Sequence, residues 1–445
     1  MSNNRKMSPI FTIGLLFSVL FGIAIPSASL GVAKPGYPYP IILKGRLPIV
    51  REKVTRIRAF SFIDKAWKQI PLQIDEVNEI GDYVLEGGLP FTKDTDDGIF
   101  DLNDELVIRG QDLGDPFTQA DIPSAWKAKF TKLWKVLFFN GTISYGEVLI
   151  VSTPTGHRFW NDASFKSLVA FNRTAEEVVT PLYRYEFKHS NPVLLGEVCL
   201  KPKMDKEFLI LSKSSFQMIF NLPWWMPNFS LEDQDFKSSI ESWQVGPIRT
   251  IIAVGVKFKA FLSLFNLHMF SELVFYENMF QIPTVIEFAY DPSKYLKPGS
   301  GLAYSITFPP GKEWSIDTNL KDLPETPPEQ ILEKMETAAQ IPIFYAVGRR
   351  PEGSFQVKVR VDERARSVVP PPFLIRKFMF GKEPWTLTRN WLQAFSGDLG
   401  LFLDIANVRK GTYNFGLDLL LSLKPDESFQ DYGLVQIEWN HIPKL

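Results

Sequence analysis

Apolar side chains recur at every second position over a long stretch near the middle of the chain. Between Ile248 and Phe265 they occupy positions 252, 254, 256, 258, 262 and 264, whereas Lys257, Lys259 and Ser263 lie on the other parity. Successive side chains of a β-strand point to opposite faces of a sheet, so this period of two predicts a long strand with one face in water.

Shorter β-like runs, separated by turn signals, fill most of the remaining chain. The clearest turn is Asn140-Gly141-Thr142 between the apolar runs Leu133–Phe139 and Ser144–Ser152, because Asn-Gly favours the tight turn of a hairpin. Trp67–Ile74 is a further strand, in which Pro71 indicates an edge or a bulge. The predicted fold class is mainly β, an antiparallel sandwich or supersandwich of large sheets packed face to face.

One segment has the pattern of a helix. Thr326 suits the N-cap, Pro327 suits the first helical position, Glu329 completes a capping box, and Pro342 ends the pattern. We therefore expect one connecting helix near residues 327–340. The chain then divides into a signal peptide (1–33), an N-terminal β-sandwich-like domain that carries an acidic loop (34–162), a large antiparallel sheet domain (163–325), and the helix with C-terminal strands packed on that central domain (326–445).

The first 33 residues have the pattern of a signal peptide. Arg5 and Lys6 precede the uncharged apolar run Phe11–Ile25, and Gly31-Val32-Ala33 supplies a small-x-small cleavage site before Lys34. The run is shorter than the roughly 20 residues that a spanning helix needs. We expect cleavage and export to the periplasm, the outer surface or the medium, with no transmembrane span in the mature chain. The alternative is an uncleaved anchor.

Bulk charge and cysteine usage narrow the function classes. The chain carries 49 Lys and Arg against 50 Asp and Glu, a formal net charge of −1, which gives no basis for nucleic-acid binding. A single cysteine, Cys199, permits no internal disulfide. It lies in the apolar segment 193–202, so we interpret it as a small buried residue of a strand.

Acidic residues crowd into Asp94–Asp115. Calcium takes six to eight oxygen ligands, which alternate positions of a tight loop can supply, and Gly98 permits the sharp turn. Carboxylates held this close without a cation would repel one another. We predict a structural calcium site; the alternative is a solvated acidic turn. The predicted ligands are Asp94, Asp96, Asp97, Asp101, Asp104 and Glu105.

Two motifs within residues 60–115 resemble a family of uncharacterised exported bacterial proteins. Gln73-Ile74-Asp75-Glu76 is similar to its Q-[IV]-D-E strand, and residues 97–107 (DGIFDLNDELV) are similar to its D-G-x-[FL]-D-x-x-D-E-[LI]-V loop. The acidic loop also resembles the calcium loops of dockerin-type modules. Val245-Gly246-Pro247-Ile248-Arg249 resembles the β-supersandwich regions of polysaccharide lyases and mutarotase-like proteins. The resemblance implies an envelope protein with a glycan connection and supplies no catalytic residues.

Trp224 and Trp225 stand between Pro223 and Pro227. Such an aromatic loop can stack on sugar rings or enter a membrane interface; the alternative is a loop folded over the core. The standard H-E-x-x-H, G-x-S-x-G and P-loop motifs do not occur.

We therefore expect a non-enzymatic envelope protein that binds a glycan or another envelope component, with Trp224 and Trp225 as ligand-binding residues. One alternative is a carbohydrate-active enzyme, a polysaccharide lyase or glycoside hydrolase, on a supersandwich scaffold. Another is a scaffold or transport component that touches the membrane through the Trp224 loop.

The calcium site predicts a chelator-sensitive thermal transition. A ligand that binds only the folded state stabilises it by about 2.7 kcal/mol at a hundredfold excess over Kd. EDTA should therefore lower the melting midpoint by several degrees, and millimolar Ca²⁺ should restore it. Mg²⁺ should restore it poorly, because it demands a tighter octahedral shell. An unchanged melt, with no Ca²⁺ uptake in calorimetry, would leave only a solvated turn.

Overall fold

The computed structural model describes most of the chain between residues 37 and 443. The described ranges are 37–79, 81–85, 87–88, 98–141, 143–154, 165–203, 206–225, 227–258, 267–289, 291–297, 300–309, 315–318, 344–361, 373–376, 399–406, 408–429 and 435–443. Strands dominate these ranges, which confirms the mainly β fold class. The leader (1–33) and the helix expected near residues 327–340 lie outside the described residues.

The described strands are numbered in chain order. The first group is β1 Pro40–Lys44, β2 Ile57–Ile63, β3 Ala66–Ile70, β4 Gln73–Asp75, β5 Gly87–Gly88, β6 Glu105–Arg109, β7 Lys132–Asn140, β8 Ile143–Ser152, β9 Ala170–Asn172, β10 Glu177–Val179, β11 Tyr183–Phe187, β12 Leu195–Lys203, β13 Lys206–Leu211 and β14 Lys213–Phe220. The second group is β15 Phe229–Leu231, β16 Phe236–Val245, β17 Arg249–Phe258, β18 Leu267–Tyr276, β19 Met279–Phe288, β20 Gly301–Thr307, β21 Ser315–Thr318, β22 Phe344–Arg350, β23 Gly353–Val361, β24 Phe373–Arg376, β25 Leu399–Asp404, β26 Gly411–Ser422 and β27 Gln436–His441.

Helical structure in the described ranges is short. One α-helix, α1, spans Ser124–Lys129. The single-turn 3-10 helices are Val54–Arg56, Gly110–Asp112, Gln119–Asp121, Asp233–Asp235 and Pro292–Lys294. None of the helices in the part of the chain that the structure describes is long and apolar enough to cross a membrane.

The described strands form five antiparallel sheets. The largest, here the central sheet, has the order β21-β22-β23-β26-β19-β18-β17-β16-β5, and a small N-terminal sheet has the order β1-β6-β4. The other three have the orders β27-β7-β8-β2-β3, β13-β12-β11-β10-β9 and β15-β14-β20-β25-β24. The hairpin predicted at Asn140-Gly141 is confirmed, because β7 pairs with β8 and Gly141 has a φ of 58°.

Pro71 divides the predicted strand Trp67–Ile74 between two sheets. Before it, β3 pairs with β2, and after it β4 pairs with β6 of the small N-terminal sheet. A proline carries no amide hydrogen and cannot continue a ladder, so the chain changes partner there. This transfer places Gln73 and Asp75 against β6.

Strand β17 differs from the expectation of one wet face. Ile252 and Val254 lie in the largest hydrophobic core, as the alternation predicted. Ile251 and Ala253, on the opposite face, are also buried and belong to a second core against the N-terminal sheets. The central sheet is therefore covered on both faces along this part of β17, which the pattern of one strand cannot reveal.

Strand pairing crosses the domain division expected from the sequence at two places. Gly87–Gly88, from the N-terminal segment, pairs with Ser242 and Trp243 of β16 in the central sheet. The last strand, β27, pairs with β7 rather than with the central strands. Strands β22, β23 and β26 belong to the central sheet. Cys199 is buried in β12, in agreement with the sequence interpretation.

Candidate functional site

A buried ion-pair network joins the small N-terminal sheet to the central sheet. Arg249 has no solvent exposure. Its Nε donates to Asp75 Oδ2 at 2.7 Å and its Nη2 donates to Glu105 Oε2 at 2.7 Å. Its Nη1 donates to the Tyr276 hydroxyl at 2.9 Å. One guanidinium therefore binds two carboxylates and a phenol, and we refer to these four residues as the Arg249 cluster.

Strand register explains why these side chains meet. Asp75 and Glu105 are direct partners across β4 and β6, so their carboxylates lie side by side. Arg249 begins β17 and is paired with Tyr276 of β18. Two buried carboxylates this close repel each other, and the charge of Arg249 between them offsets that repulsion.

Gln73 links the Q-I-D-E strand to the V-G-P-I-R turn. Its amide nitrogen donates to Asp75 Oδ1 at 2.8 Å, and its amide oxygen accepts the backbone N–H groups of Ile248 and Arg249 at 3.0 and 2.9 Å. A side chain at Gly246 would place a Cβ 2.2 Å from the Gln73 amide. Glycine is therefore required there, because the Gln73 amide occupies the space.

The structure places the described half of the predicted calcium ligands in other contacts. Asp104 accepts the backbone N–H groups of Val77 and Asp101, at 3.1 and 2.8 Å. Asp101 accepts those of Asn103 and Asp104. Glu105 belongs to the Arg249 cluster. In the ranges that the structure describes, no group of three or more His, Cys, Asp or Glu side chains has metal-binding geometry. Calcium binding stays a prediction. The remaining predicted ligands, which lie outside the described residues, are Asp94, Asp96 and Asp97.

Tyr83 connects Glu105 to a second buried carboxyl group. Its hydroxyl donates to Glu105 Oε2 at 2.8 Å, and its backbone N–H donates to Glu272 Oε1 at 2.9 Å. Glu272 lies on β18 and is 7% exposed. Lys44 of β1 approaches the other oxygen of Glu105 at 3.5 Å. The side-chain hydroxyl of Tyr83 thus binds Glu105, and its backbone N–H binds Glu272.

These carboxyl groups line a cavity of about 1040 Å³ between residues 77–79 and 81–83 and one face of the central sheet. The sheet contributes side chains at alternate positions of β18 and β19, with Thr412 and Asn414 from β26 and Arg360 from β23. Amide, hydroxyl and carboxyl groups are interspersed with apolar surface from Phe270 and Val285. The remaining charged side chains at the wall are Lys44, Glu79, Asp82 and Glu287.

Local charges set opposite protonation states for the two glutamates. Burial acts to raise the pKa of Glu105, but Arg249, with further contributions from Lys44 and Tyr83, brings that pKa below its ordinary value. Burial raises the pKa of Glu272 to about 8, because only the Tyr83 N–H and the Arg249 charge oppose it. At neutral pH the cavity therefore holds an ionised and a protonated carboxyl group.

Arg249 itself remains charged. Burial disfavours the guanidinium, but Asp75, Tyr276, Tyr83 and Glu105 raise its pKa above the ordinary value. Burial raises the pKa of Asp75, and Arg249 acts in the opposite direction. Asp75, Arg249 and Tyr276 are buried and do not line the cavity. Glu105 is the member of the cluster that also lines it.

Trp224 and Trp225 are not part of this site. They lie in the turn between β14 and β15, in a different sheet from the cavity, and their exposed fractions are 90% and 63%. The exposure argues against a loop folded over the core. Their role as ligand-binding residues stays a prediction.

Comparison with known proteins assigns no family. No protein family and no curated protein matches the chain. The Slr1438 protein of Synechocystis sp. PCC 6803 is similar at a TM-score of 0.31 and 11% identity, over 58% of this chain and 97% of that one. The Pichia pastoris lysyl oxidase is similar at a TM-score of 0.23 and 10% identity, over 64% of this chain and 59% of that one. At such scores neither protein informs the function of this chain.

The sequence contained signals for two site residues that motif analysis did not assign. Glu272 stands in the apolar run Leu267–Tyr276, and Arg249 stands beside an apolar strand. A charged residue within a buried strand is rare unless it is paired. Tyr83 carried no comparable signal, because its contacts are made across different sheets.

Replacing Arg249 tests whether the cluster holds the two sheets together. Arg249→Met should lower the free energy of unfolding by about 3–5 kcal/mol, because removing one partner leaves buried carboxylates uncompensated. Urea unfolding measures this loss. Arg46→Met, at an exposed arginine, is the matched control and should change the free energy by about 0.5 kcal/mol or less. Equal, small effects of both substitutions would contradict the assignment.

Glu272 predicts a specific pH dependence of stability. Its pKa in the folded chain is about 8 against an ordinary 4.5, so between these values the folded state binds the extra proton and stability falls as pH rises. Glu272→Gln removes this dependence. The stability of the variant relative to the native chain should rise by about 1.4 kcal/mol per pH unit across this window, measured by urea unfolding. Glu287→Gln, at an exposed carboxyl of the same cavity, is the matched control. A flat difference for Glu272→Gln would refute the assignment.

Proposed function

We propose that this chain is an exported protein that binds a neutral, hydroxyl-rich oligosaccharide in the cavity over the central sheet. The observation that carries the proposal is the cavity of about 1040 Å³ with converging carboxyl, amide and hydroxyl groups. Ligand sites are concave, are few per protein and combine apolar wall with a few placed polar groups. A cavity at the upper end of the usual range, about 1,000 Å³, accommodates several sugar rings.

The chemistry of the wall supports a sugar rather than a charged metabolite. Carboxylate and amide groups such as those of Glu287 and Asn414, which are exposed at the cavity wall, can each serve two neighbouring sugar hydroxyls. Phe270, half-buried at the cavity wall, offers apolar surface for the C–H face of a sugar ring. The cavity wall carries five carboxyl groups and two cationic side chains. This distribution of charge disfavours a strongly anionic ligand.

The leader pattern of residues 1–33 supports export. An exported binding protein is in contact with the polysaccharides of the cell envelope. We therefore propose an envelope glycan as the ligand. Periplasm, outer surface and medium are all compatible with this proposal. The predicted calcium site would have a structural role.

A carbohydrate-active enzyme is the second candidate, and one observation favours it. Glu272, with a pKa of about 8, and Glu105, with a lowered pKa, face the same cavity. Two carboxyl groups whose environments separate their pKa values in this way are the arrangement used for general acid and base roles. In a glycoside hydrolase, Glu272 would protonate the leaving oxygen while Glu105 stayed ionised.

Binding and turnover can be tested on one set of variants. Calorimetry against a panel of neutral and acidic envelope oligosaccharides should show binding to a neutral member. Glu287→Ala combined with Asn414→Ala should weaken it about tenfold or more, since a hydrogen bond to a charged group contributes about 1.5–3 kcal/mol. Gln436→Ala, exposed on β27, is the control and should leave binding unchanged. An absence of binding across the panel would contradict the proposal.

The enzyme candidate predicts a different pattern in the same assay. New reducing ends should appear with the native chain and should disappear with Glu272→Gln while binding persists, because the amide cannot donate a proton to the leaving group. Binding without turnover in both proteins would select the binding function.

A further inference from the structure

Three loops meet at the end of strands β19 and β26 that lies opposite to the Arg249 cluster. They are residues 221–228 between β14 and β15, residues 291–300 between β19 and β20, and residues 405–410 between β25 and β26. The Lys297 N–H donates to Asn221 O at 2.8 Å, and the Ser293 N–H donates to Val408 O at 3.0 Å. These bonds hold the described parts of the three loops together as one surface.

Exposed aromatic side chains project from this surface. Trp224, Trp225 and Tyr295 are 90%, 63% and 45% exposed. Other contacts stabilise the turn that carries the tryptophans. Asn228 Oδ1 accepts the Leu222 N–H at 2.8 Å, and the Leu222 side chain is buried. The local structure therefore does not need the two indoles for its own packing. An exposed cluster of large apolar side chains marks an interaction surface.

The same loops carry an excess of positive charge. Lys294, Lys297, Arg409 and Lys410 are exposed, whereas Asp291 is the one acidic residue in the sequence of these three segments. Asp291 lies 3.2 Å from Lys294 and accepts the Lys410 N–H at 2.7 Å. The whole chain has a net charge of −1, so the local excess is a feature of this end. We call Trp224, Trp225, Tyr295, Lys294, Lys297 and Arg409 the tip patch.

We propose that the tip patch docks onto the anionic phospholipid surface of a membrane. Tryptophan and tyrosine favour the headgroup region, where a ring can lie in the apolar boundary while its polar atom stays hydrated. Lysine and arginine beside them bind lipid phosphates and are attracted to anionic leaflets. A sugar platform would need carboxyl or amide groups beside the rings. The Asp291 carboxylate is already bound by Lys294 and the Lys410 N–H. The Asn228 amide oxygen already accepts the Leu222 N–H. The proposal does not rest on the cavity function, because no residue of the tip patch lines the cavity.

Vesicle partitioning tests this docking. The protein recovered from the cell envelope after export, with its N-terminus sequenced, is mixed with vesicles of phosphatidylcholine alone or of equal parts phosphatidylglycerol and phosphatidylcholine. We expect at least tenfold stronger partitioning onto the anionic vesicles, falling as salt is added, because the attraction is screened. Indole fluorescence should shift to the blue on binding, as Trp224 and Trp225 leave water.

Two paired variants separate the roles of the rings and the charges. Trp224→Ser with Trp225→Ser should reduce partitioning at least tenfold and remove the blue shift, with the thermal midpoint unchanged because both rings are exposed. Lys294→Gln with Lys297→Gln should reduce partitioning about tenfold on anionic vesicles only. Lys65→Gln with Lys68→Gln, exposed on the β2–β3 hairpin, is the charge-matched control and should change nothing.

Three results would overturn the proposal. The first is equal partitioning of the native chain onto neutral and anionic vesicles, and the second is native-like partitioning of the double tryptophan variant. The third is loss of oligosaccharide binding in that variant without any vesicle binding by the native chain, which would make the patch a sugar platform. Failure of the cavity variants to affect sugar binding would leave the membrane result untouched, so the two proposals fail separately.

Discussion

Arg249 is a positive charge with no access to water, and the arrangement of two sheets depends on how that charge is satisfied. A lone buried guanidinium would be strongly unfavourable, so carboxylates must reach it from the small N-terminal sheet. Asp75 and Glu105 supply them from adjacent strands, and Tyr276 supplies a hydroxyl from the central sheet. Because each group requires the others, the network tolerates a single relative placement of the two sheets. Apolar packing alone allows small shifts that such hydrogen-bond geometry does not.

The cavity follows from this placement. Residues 77–83 continue from β4, so the same contacts that hold Asp75 position Tyr83 above the face of β18. Tyr83 then covers Glu272 and touches Glu105, which gives the two carboxyl groups unlike environments. Glu105 receives the field of Arg249 directly, whereas Glu272 is mainly desolvated. A difference in protonation between two chemically identical side chains thus originates in a structural ion pair.

The local sequence pattern predicted individual strands well, but it did not predict which strands pair with each other. The Asn140-Gly141 hairpin could be predicted because its signal is confined to two residues, and the mainly β class could be predicted because alternation repeats along the chain. The burial of both faces of β17, the change of sheet at Pro71 and the pairing of β27 with β7 could not. Each depends on strands that are far apart in sequence. Strands pair through backbone N–H and C=O groups, which are common to nearly all residues, so the side-chain pattern of one strand does not identify its partner.

The sequence by itself determined the fold class, the tight turns, the motifs Q-I-D-E, D-E-L-V and V-G-P-I-R, and the presence of a tryptophan pair between prolines. These are local properties of side-chain periodicity and backbone preference. Only the tertiary structure decided that Gln73, Asp75, Glu105 and Arg249 form one network, that Glu272 lines a cavity, and that Trp224 and Trp225 face water. The physical reason is that desolvation and charge pairing are set by what surrounds a group in space. Strands separated by more than a hundred residues supply those surroundings here.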